Sequence, residues 1–273
     1  MNIKIIVATH KKFWMPEDEV YLPIQVGAEG KVDLPIQVGA EGKVDLGYTP
    51  DNTGDNISYK NPNYCELTGL YWAWKNLNVD YIGLCHYRRY FGHEGLSNES
   101  IEEKKRRILA GSDYSKILNE YDVLLPERML LGRHFTVKKQ YEECHNLNDI
   151  MAVREILRKD WPSYINAFET ILNKHSFYCF NMFAMRKKYF DQYCEWLFDV
   201  LFKLENQLQI EYYDSYQKRV FGFLSERLFN VWLLKQNLSI KEMPIVFLEN
   251  ENQPKEGNMK RLLKYKVYNI LNW

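Results

Sequence analysis

Apolar and polar positions along this chain switch between two periods, and the switches mark its elements. IKIIVATH (3–10) is a short continuous apolar run ending in polar residues, the pattern of a strand buried on both faces. NPNYCELTGLYWAWKNL (61–77) instead sets Tyr64, Leu67, Leu70, Tyr71 and Trp74 at helical spacing. VDYIGLCHYRR (79–89) returns to a strand, 101–121 reads as a surface helix, and YDVLLP (121–126) is a strand stopped by Pro126. Residues 137–173 are helical in pattern, with Pro162 opening a new helix after Trp161. YCFNMFAMR (178–186) is strand-like, 187–205 a strongly amphipathic helix, about 219–236 another helix, and PIVFL (244–248) a last short strand. Strands alternating with helices predict an α/β fold: a mainly parallel sheet flanked by helices, with helical additions in the C-terminal half. In such sheets ligands bind beyond the carboxyl ends of the strands.

One stretch follows neither period. Residues 22–33, LPIQVGAEGKVD, recur without change as 34–45. A repeat architecture needs about three units that bury one another's faces, and side chains with different neighbours have no reason to stay identical. The segment 22–45 therefore reads as a recent tandem duplication, or a sequence error, in a surface loop. Lengthening such a loop costs little closure entropy.

The 273 residues, 46% hydrophobic and 15% aromatic, suffice for one domain, with halves at 1–126 and 127–250 and a basic tail at 251–273. Lys+Arg and Asp+Glu are equal at 36 each, which argues against a nucleic-acid partner and makes any anion site local. The five cysteines form no CxxC pair and read as reduced thiols, which favours the cytoplasm. The N-terminal apolar run is four residues, far short of a signal peptide or membrane span. The tail KRLLKYKVYNILNW reads as a basic amphipathic helix that lies on an anionic membrane surface or docks on the protein itself.

Chemistry concentrates in GLCHYRRYF (83–91). On an extended strand His86 and Arg88 point to one side and Tyr87 and Arg89 to the other. Guanidinium forks suit phosphate oxygens, and they equally suit structural salt bridges. Thr9, His10 and Lys11 sit at a strand end, where they bind a nucleotide or face water. Asp55 and Asn56 suit a ribose or base edge, or a turn, with Asn63 a helix N-cap and Glu66 one turn further on. His145 and Asp149, four apart, fall on one helix face as an acid/base pair or a surface ion pair. Asn181 is polar within an apolar strand and needs partners once buried. Ser225 reads as an N-cap with Glu226 in the first turn, near the helix dipole. Cys85-His86 with His93, and Cys144-His145, match no zinc spacing.

IKIIVATHKKFWMP, DNISYKNPNYCELTGLYWAWKN, DYIGLCHYRRYF, the YEECHN segment, FNMFAMRKKYFDQYCEWLF and SERLFNVWL together resemble the bacterial capsular-polysaccharide glycosyltransferase family long catalogued as a domain of unknown function. The resemblance covers nearly the whole chain; relatives carry LPIQVGAEGK once. It implies a GT-A-like, Rossmann-type fold, with a nucleotide-sugar half over 1–126 and an acceptor half over 127–250. Thr9, His10, Asp55, Asn56, Glu66, His86, Arg88 and Arg89 are then candidates for binding nucleotide and diphosphate, His145 and Asn181 for the acceptor, and Glu226 and Asp149 for the catalytic base. Where many GT-A enzymes carry Asp-x-Asp for manganese or magnesium, this chain reads His86-Tyr87-Arg88, so no metal ligand is assigned. Cationic side chains are expected to stabilise the leaving diphosphate instead. The implied reaction moves a hexosyl group, galactosyl or galactofuranosyl by analogy, to a lipid-linked capsular or exopolysaccharide intermediate. A non-catalytic nucleotide- or carbohydrate-binding module and a phosphotransferase of surface-polymer synthesis are the competing readings.

Overall fold

The structure, a computed structural model, describes residues 1–27, 45–96 and 99–248. The proposed tail helix at 251–273 and most of the duplicated segment lie outside the described residues.

The chain opens with β1 (Ile3–Thr9), β2 (Tyr21–Gln25) and β3 (Thr49–Pro50), then α1 (Asn61–Tyr64) and α2 (Leu67–Asn76). β4 (Tyr81–His86) and β5 (Arg89–Phe91) follow as a hairpin, then α3 (Ile101–Arg106), α4 (Gly111–Glu120), β6 (Val123–Pro126) and β7 (Met129–Leu130). The second half runs through α5 (Val137–Cys144), α6 (Leu147–Asp160), α7 (Ile165–Leu172), β8 (Ser176–Phe177), β9 (Phe183–Arg186) and α8 (Lys187–Glu205). It ends in α9 (Val220–Lys235), β10 (Ile240–Met243) and β11 (Ile245–Phe247). The main sheet has the order β10-β6-β9-β4-β1-β2-β3, with β5 and β11 attached beside β4. β1 to β4 are mutually parallel, and β9 runs antiparallel to both β4 and β6.

Alternate side chains of β1 enter opposite cores: Ile6 and Ala8 face α2, α8 and α9, while Ile5 and Val7 face α4 and the aromatic residues of β5. Burial on both faces explains the unbroken apolar run. Gly83 in β4 lets β9 close in, because a Cβ there would meet Phe183 O at 2.7 Å and Ile5 Cδ1 at 2.6 Å. The mainly parallel, helix-flanked α/β fold is as expected, and α8 spans the residues its periodicity assigns.

Four local expectations change. The first copy of the duplicated segment contributes Leu22 to Gln25 to a strand rather than a loop, because Ile24 packs in the core and β2 pairs with β1 in parallel register. The 61–77 helix breaks at Cys65, whose φ of 54° no continuous helix accommodates. The 101–121 helix breaks around Leu109, which is buried and hydrogen-bonds β5. Only Phe183–Arg186 of the 178–186 run is strand; Phe180 and Asn181 before it have φ of 72° and 52°. Among the described residues no helix is long and apolar enough to cross a membrane.

Candidate active site

β4 ends by pairing His86 with Arg89, so Tyr87 and Arg88 form the tip of a tight hairpin. The turn breaks the strand alternation. Tyr87 is buried beneath the hairpin, edge-on to His10 at 5.4 Å and Phe13 at 5.1 Å between ring centres. His86, Arg88 and Arg89 thus all face one cavity, a correction to the expectation that Arg89 points away. Its volume is about 410 Å³. The opposite wall comes from the start of α9 and the turn before it, through Arg219, Phe223, Glu226 and Arg227. The α1–α2 break adds Cys65 and Glu66, and Gln140 with His145 close the α5 side.

Backbone geometry at the rim is unusual. Among the described residues, the non-glycine residues with positive φ are Cys65, Phe180 and Asn181. Such conformations persist only where their surroundings enforce them, and they cluster at functional sites. Here α9 does the enforcing. Gly222 brings it against Cys65, where a Cβ would lie 3.4 Å from the Cys65 Sγ. Glu226 Oε1 accepts the Phe180 N–H at 3.1 Å. The Asn181 amide Nδ2 donates to Glu66 Oε1 at 2.7 Å and to Ser225 Oγ at 2.8 Å, tying the α1–α2 break to α9.

The cavity sets titratable groups apart. Burial, then Arg89, Arg88, His10 and Arg219, hold the His86 imidazole down to about 2, so the ring is neutral at physiological pH. The expectation of a fixed histidine cation is therefore corrected: in the free protein the positive charge comes from guanidiniums. His86 Nδ1 is buried without a hydrogen-bond partner. Burial pushes the Glu66 carboxyl above its ordinary range, against the opposing pull of the Asn181 hydrogen bond. Cys65 stays a thiol: burial and Glu66 raise it to about 11 although Arg219 Nε donates to its sulfur at 3.2 Å. Glu226 is engaged at both oxygens, by Phe180 N–H and by Arg227 Nη1 at 2.9 Å.

The structure sorts the sequence candidates. His86, Arg88, Arg89, Glu66, His145 and Glu226 line the cavity, and Asn181 lies buried directly behind Glu66. His145 stacks on Phe223 at 4.1 Å and on Tyr216 at 5.8 Å. Five candidates stay outside. Thr9 is buried and its Oγ1 donates to Lys11 O at 2.6 Å; His10 packs on Tyr87. Asp55 is exposed and accepts from Tyr71 OH, while Asn56 bonds Gly54 O and Ser58 N within its own loop. Asp149 does not share a helix face with His145: His145 caps α5 and Asp149 opens α6. Its carboxyl is buried outside the cavity and accepts from Tyr213 OH at 2.6 Å and Tyr141 OH at 3.3 Å. Neither helix start falls where expected. Asn63 sits inside α1, and Ser225 and Glu226 lie in the second turn of α9, which begins at Val220, so the helix-dipole reading of Glu226 fails.

Arg219, Arg227 and Gln140 were not singled out by sequence. Arg227 had a readable signal: a charged residue inside FGFLSERLFNVWLL, apolar on nearly every face, must be buried with partners. It bonds Gln140 Oε1 at 2.5 Å and Phe223 O at 2.8 Å.

A divalent cation does not fit this donor set. The two carboxylates, Glu66 and Glu226, already accept hydrogen bonds and stand among four guanidiniums that would repel the ion. Among the described residues no group of three or more His, Cys, Asp or Glu side chains is placed to hold one. The same guanidiniums outnumber the carboxylates among the lining residues.

Comparison with known proteins agrees with the fold. The family described as Domain of unknown function (DUF4422) matches residues 4–237. Among solved structures, the apo form of the WbbM bifunctional glycosyltransferase matches with a TM-score of 0.79 at 31% sequence identity. The match covers 92% of this chain and 46% of that one, so the chain spans about half the length of the enzyme it matches. No curated protein matches.

Proposed function

The chain belongs to the DUF4422 family and has a GT-A-like α/β fold; from that premise we propose that it is a glycosyltransferase, using a nucleotide sugar as donor and a glycan as acceptor. One observation carries the reading: the cavity beyond the carboxyl end of β4 gathers Arg88, Arg89 and Arg219 together with Glu66 and Glu226. Breaking a glycosyl–phosphate bond builds negative charge on the departing diphosphate, and preorganised cations stabilise that charge without reorganising. Arg88, Arg89 and Arg219 take this role. Guanidinium forks bond phosphate oxygens in pairs, so they orient the donor as well as neutralise it.

In an inverting transfer the acceptor hydroxyl gives its proton to a carboxylate. Glu66 suits that step better than Glu226: its raised pKa brings it toward the working pH, whereas both Glu226 oxygens are occupied in holding the rim. Asn181 acts through Glu66, fixing the carboxyl's orientation. The aromatic wall of Phe223, His145 and Tyr216 offers the flat apolar surface on which a sugar ring packs. The sequence resemblance to capsule-synthesising enzymes extends the proposal to a hexosyl donor and a lipid-linked glycan intermediate.

A thermal-shift panel of nucleotide sugars tests the donor assignment, since a ligand that binds only the folded state raises its melting temperature. At least one donor is expected to stabilise the protein and to be consumed in the presence of acceptor glycan. A protein that none of them stabilises, and that transfers no sugar, would contradict the proposal.

A further inference from the structure

Building on the donor reading above, we propose that Phe180 is a positioning residue for the diphosphate: its ring, fixed in place by α9, holds the Arg89 guanidinium ready before a nucleotide sugar arrives. Two rings flank that guanidinium. It lies over Phe180 at 4.5 Å from the ring centre and near Phe247 at 6.0 Å, and the two rings meet edge to face at 6.2 Å. Phe247 is there because β11 pairs it directly opposite Arg89 on β5, and directly opposed side chains share one face of the sheet. The negative face of an aromatic ring attracts a cation so placed. Stacking uses the flat face of a guanidinium whereas phosphate oxygens bond its edge, so the two contacts do not compete.

Ordinary backbone preference does not bring Phe180 to that place. Its φ of 72° is strained for a bulky side chain, and such a conformation persists only where its surroundings enforce it. α9 bonds the segment residue by residue. Asn230 bonds the N–H and the carbonyl of Tyr178 at 2.9 and 2.8 Å, Glu226 Oε1 accepts the Phe180 N–H at 3.1 Å, and Ser225 Oγ accepts from Asn181 at 2.8 Å. Glu226 is held in turn by Arg227 Nη1 at 2.9 Å, and Arg227 Nη2 donates to Gln140 Oε1 at 2.5 Å. A loose arginine loses side-chain freedom each time a ligand binds, and one already stacked does not, so the rings raise diphosphate affinity by preorganisation. Glu226 thereby acts on the diphosphate through Phe180 and Arg89.

Replacing Phe180 by phenylalanines that carry one, two and three ring fluorines tests this, because each fluorine weakens the negative face of the ring and hardly changes its shape. Calorimetric titration of UDP-galactose, UDP-glucose and GDP-mannose, and of UDP and GDP, reads the outcome. For the donor that binds the wild type, affinity is expected to fall step by step, by about threefold or more at the trifluorinated ring, and to fall equally for its nucleoside diphosphate. A purely structural role would not follow the fluorine count. A flat series, or a gradient that the nucleoside diphosphate does not share because the ring packs on the sugar instead, overturns the inference and leaves the donor reading standing. Should the wild type bind none of the three sugars and transfer none, the donor reading fails and the inference with it. Should the fluorinated proteins not fold, the Nε–H order parameter of Arg89 in the free wild type decides: a value above about 0.6 supports the proposal, and one below overturns it.

Discussion

The carboxyl edge of the sheet carries two groups of polar side chains that differ in how they are satisfied. At the ends of β1 to β3 they satisfy one another locally. Thr9 bonds Lys11, Asn56 bonds Gly54 and Ser58, and the buried Asp51 accepts from Ser58 Oγ at 2.5 Å and from Gly27 N–H at 2.8 Å. At the end of β4 the polar groups line a cavity instead, with the strained residues Cys65 and Phe180 on the rim. Burial does not separate the two kinds. Asp149, 1% exposed, is more deeply buried than the cavity carboxylates, yet two tyrosine hydroxyls satisfy it. Here the site differs from the scaffold in where its polar side chains face: they line a cavity rather than close on one another.

That contrast is broken or sharpened by substitutions on each side of it. The largest effect is expected from Glu66→Gln, which should lower sugar transfer by about 10²–10⁴-fold while leaving donor-induced stabilisation intact, since the amide keeps the shape and loses the base. Transfer near wild-type rates would move the base elsewhere. Arg88→Ala should follow, losing about 10²–10³-fold in kcat/KM at an unchanged melting temperature. Lys11→Ala, on the exposed edge of the other group, should stay within about threefold. Equal losses from both would erase the distinction between the regions.

Stability should divide the other way. Asp51→Ala strands the Ser58 hydroxyl and the Gly27 N–H, and should cost about 1–3 kcal/mol in denaturant unfolding with no change in turnover per folded molecule. The smallest effect is expected from Asp149→Asn. Burial raises the folded pKa of Asp149 above its unfolded value, so the wild type holds its full stability below the unfolded pKa and loses part of it as pH rises toward the folded one. At neutral pH the amide variant should therefore match or slightly exceed the wild type, and fall behind as the solution is acidified. A variant that is markedly weaker at neutral pH would contradict this sign.

The elements were largely legible because long periodic runs such as 187–205 leave few alternatives. The site was legible only where chain order and space coincide. GLCHYRRYF put His86, Arg88 and Arg89 within one hairpin, and their convergence needed only the turn at Tyr87 and Arg88. Asn181 was readable as a polar residue in an apolar run, and its Nδ2 indeed bonds both Glu66 and Ser225, while its Oδ1 is buried without a partner. Arg219 was hidden because it belongs to a turn before α9, more than a hundred residues from β4, and its charge looks like that of any helix end. Asp149 misled for the converse reason. A spacing of four suggests a shared helix face, but the helix ends at Cys144 and the chain restarts at Leu147.

The central claim is that fixed guanidiniums, rather than a metal held by acidic residues, receive the donor's diphosphate. It is tested most directly by titrating the stabilising nucleotide sugar into the wild type, Arg88→Ala and Arg219→Ala with a chelator present throughout. The account predicts that the wild type binds as well with chelator as without it, and that each variant loses tenfold or more, about 1.4 kcal/mol, in affinity. Wild-type binding that vanishes with chelator and returns with manganese, or variants that bind like the wild type, would contradict it.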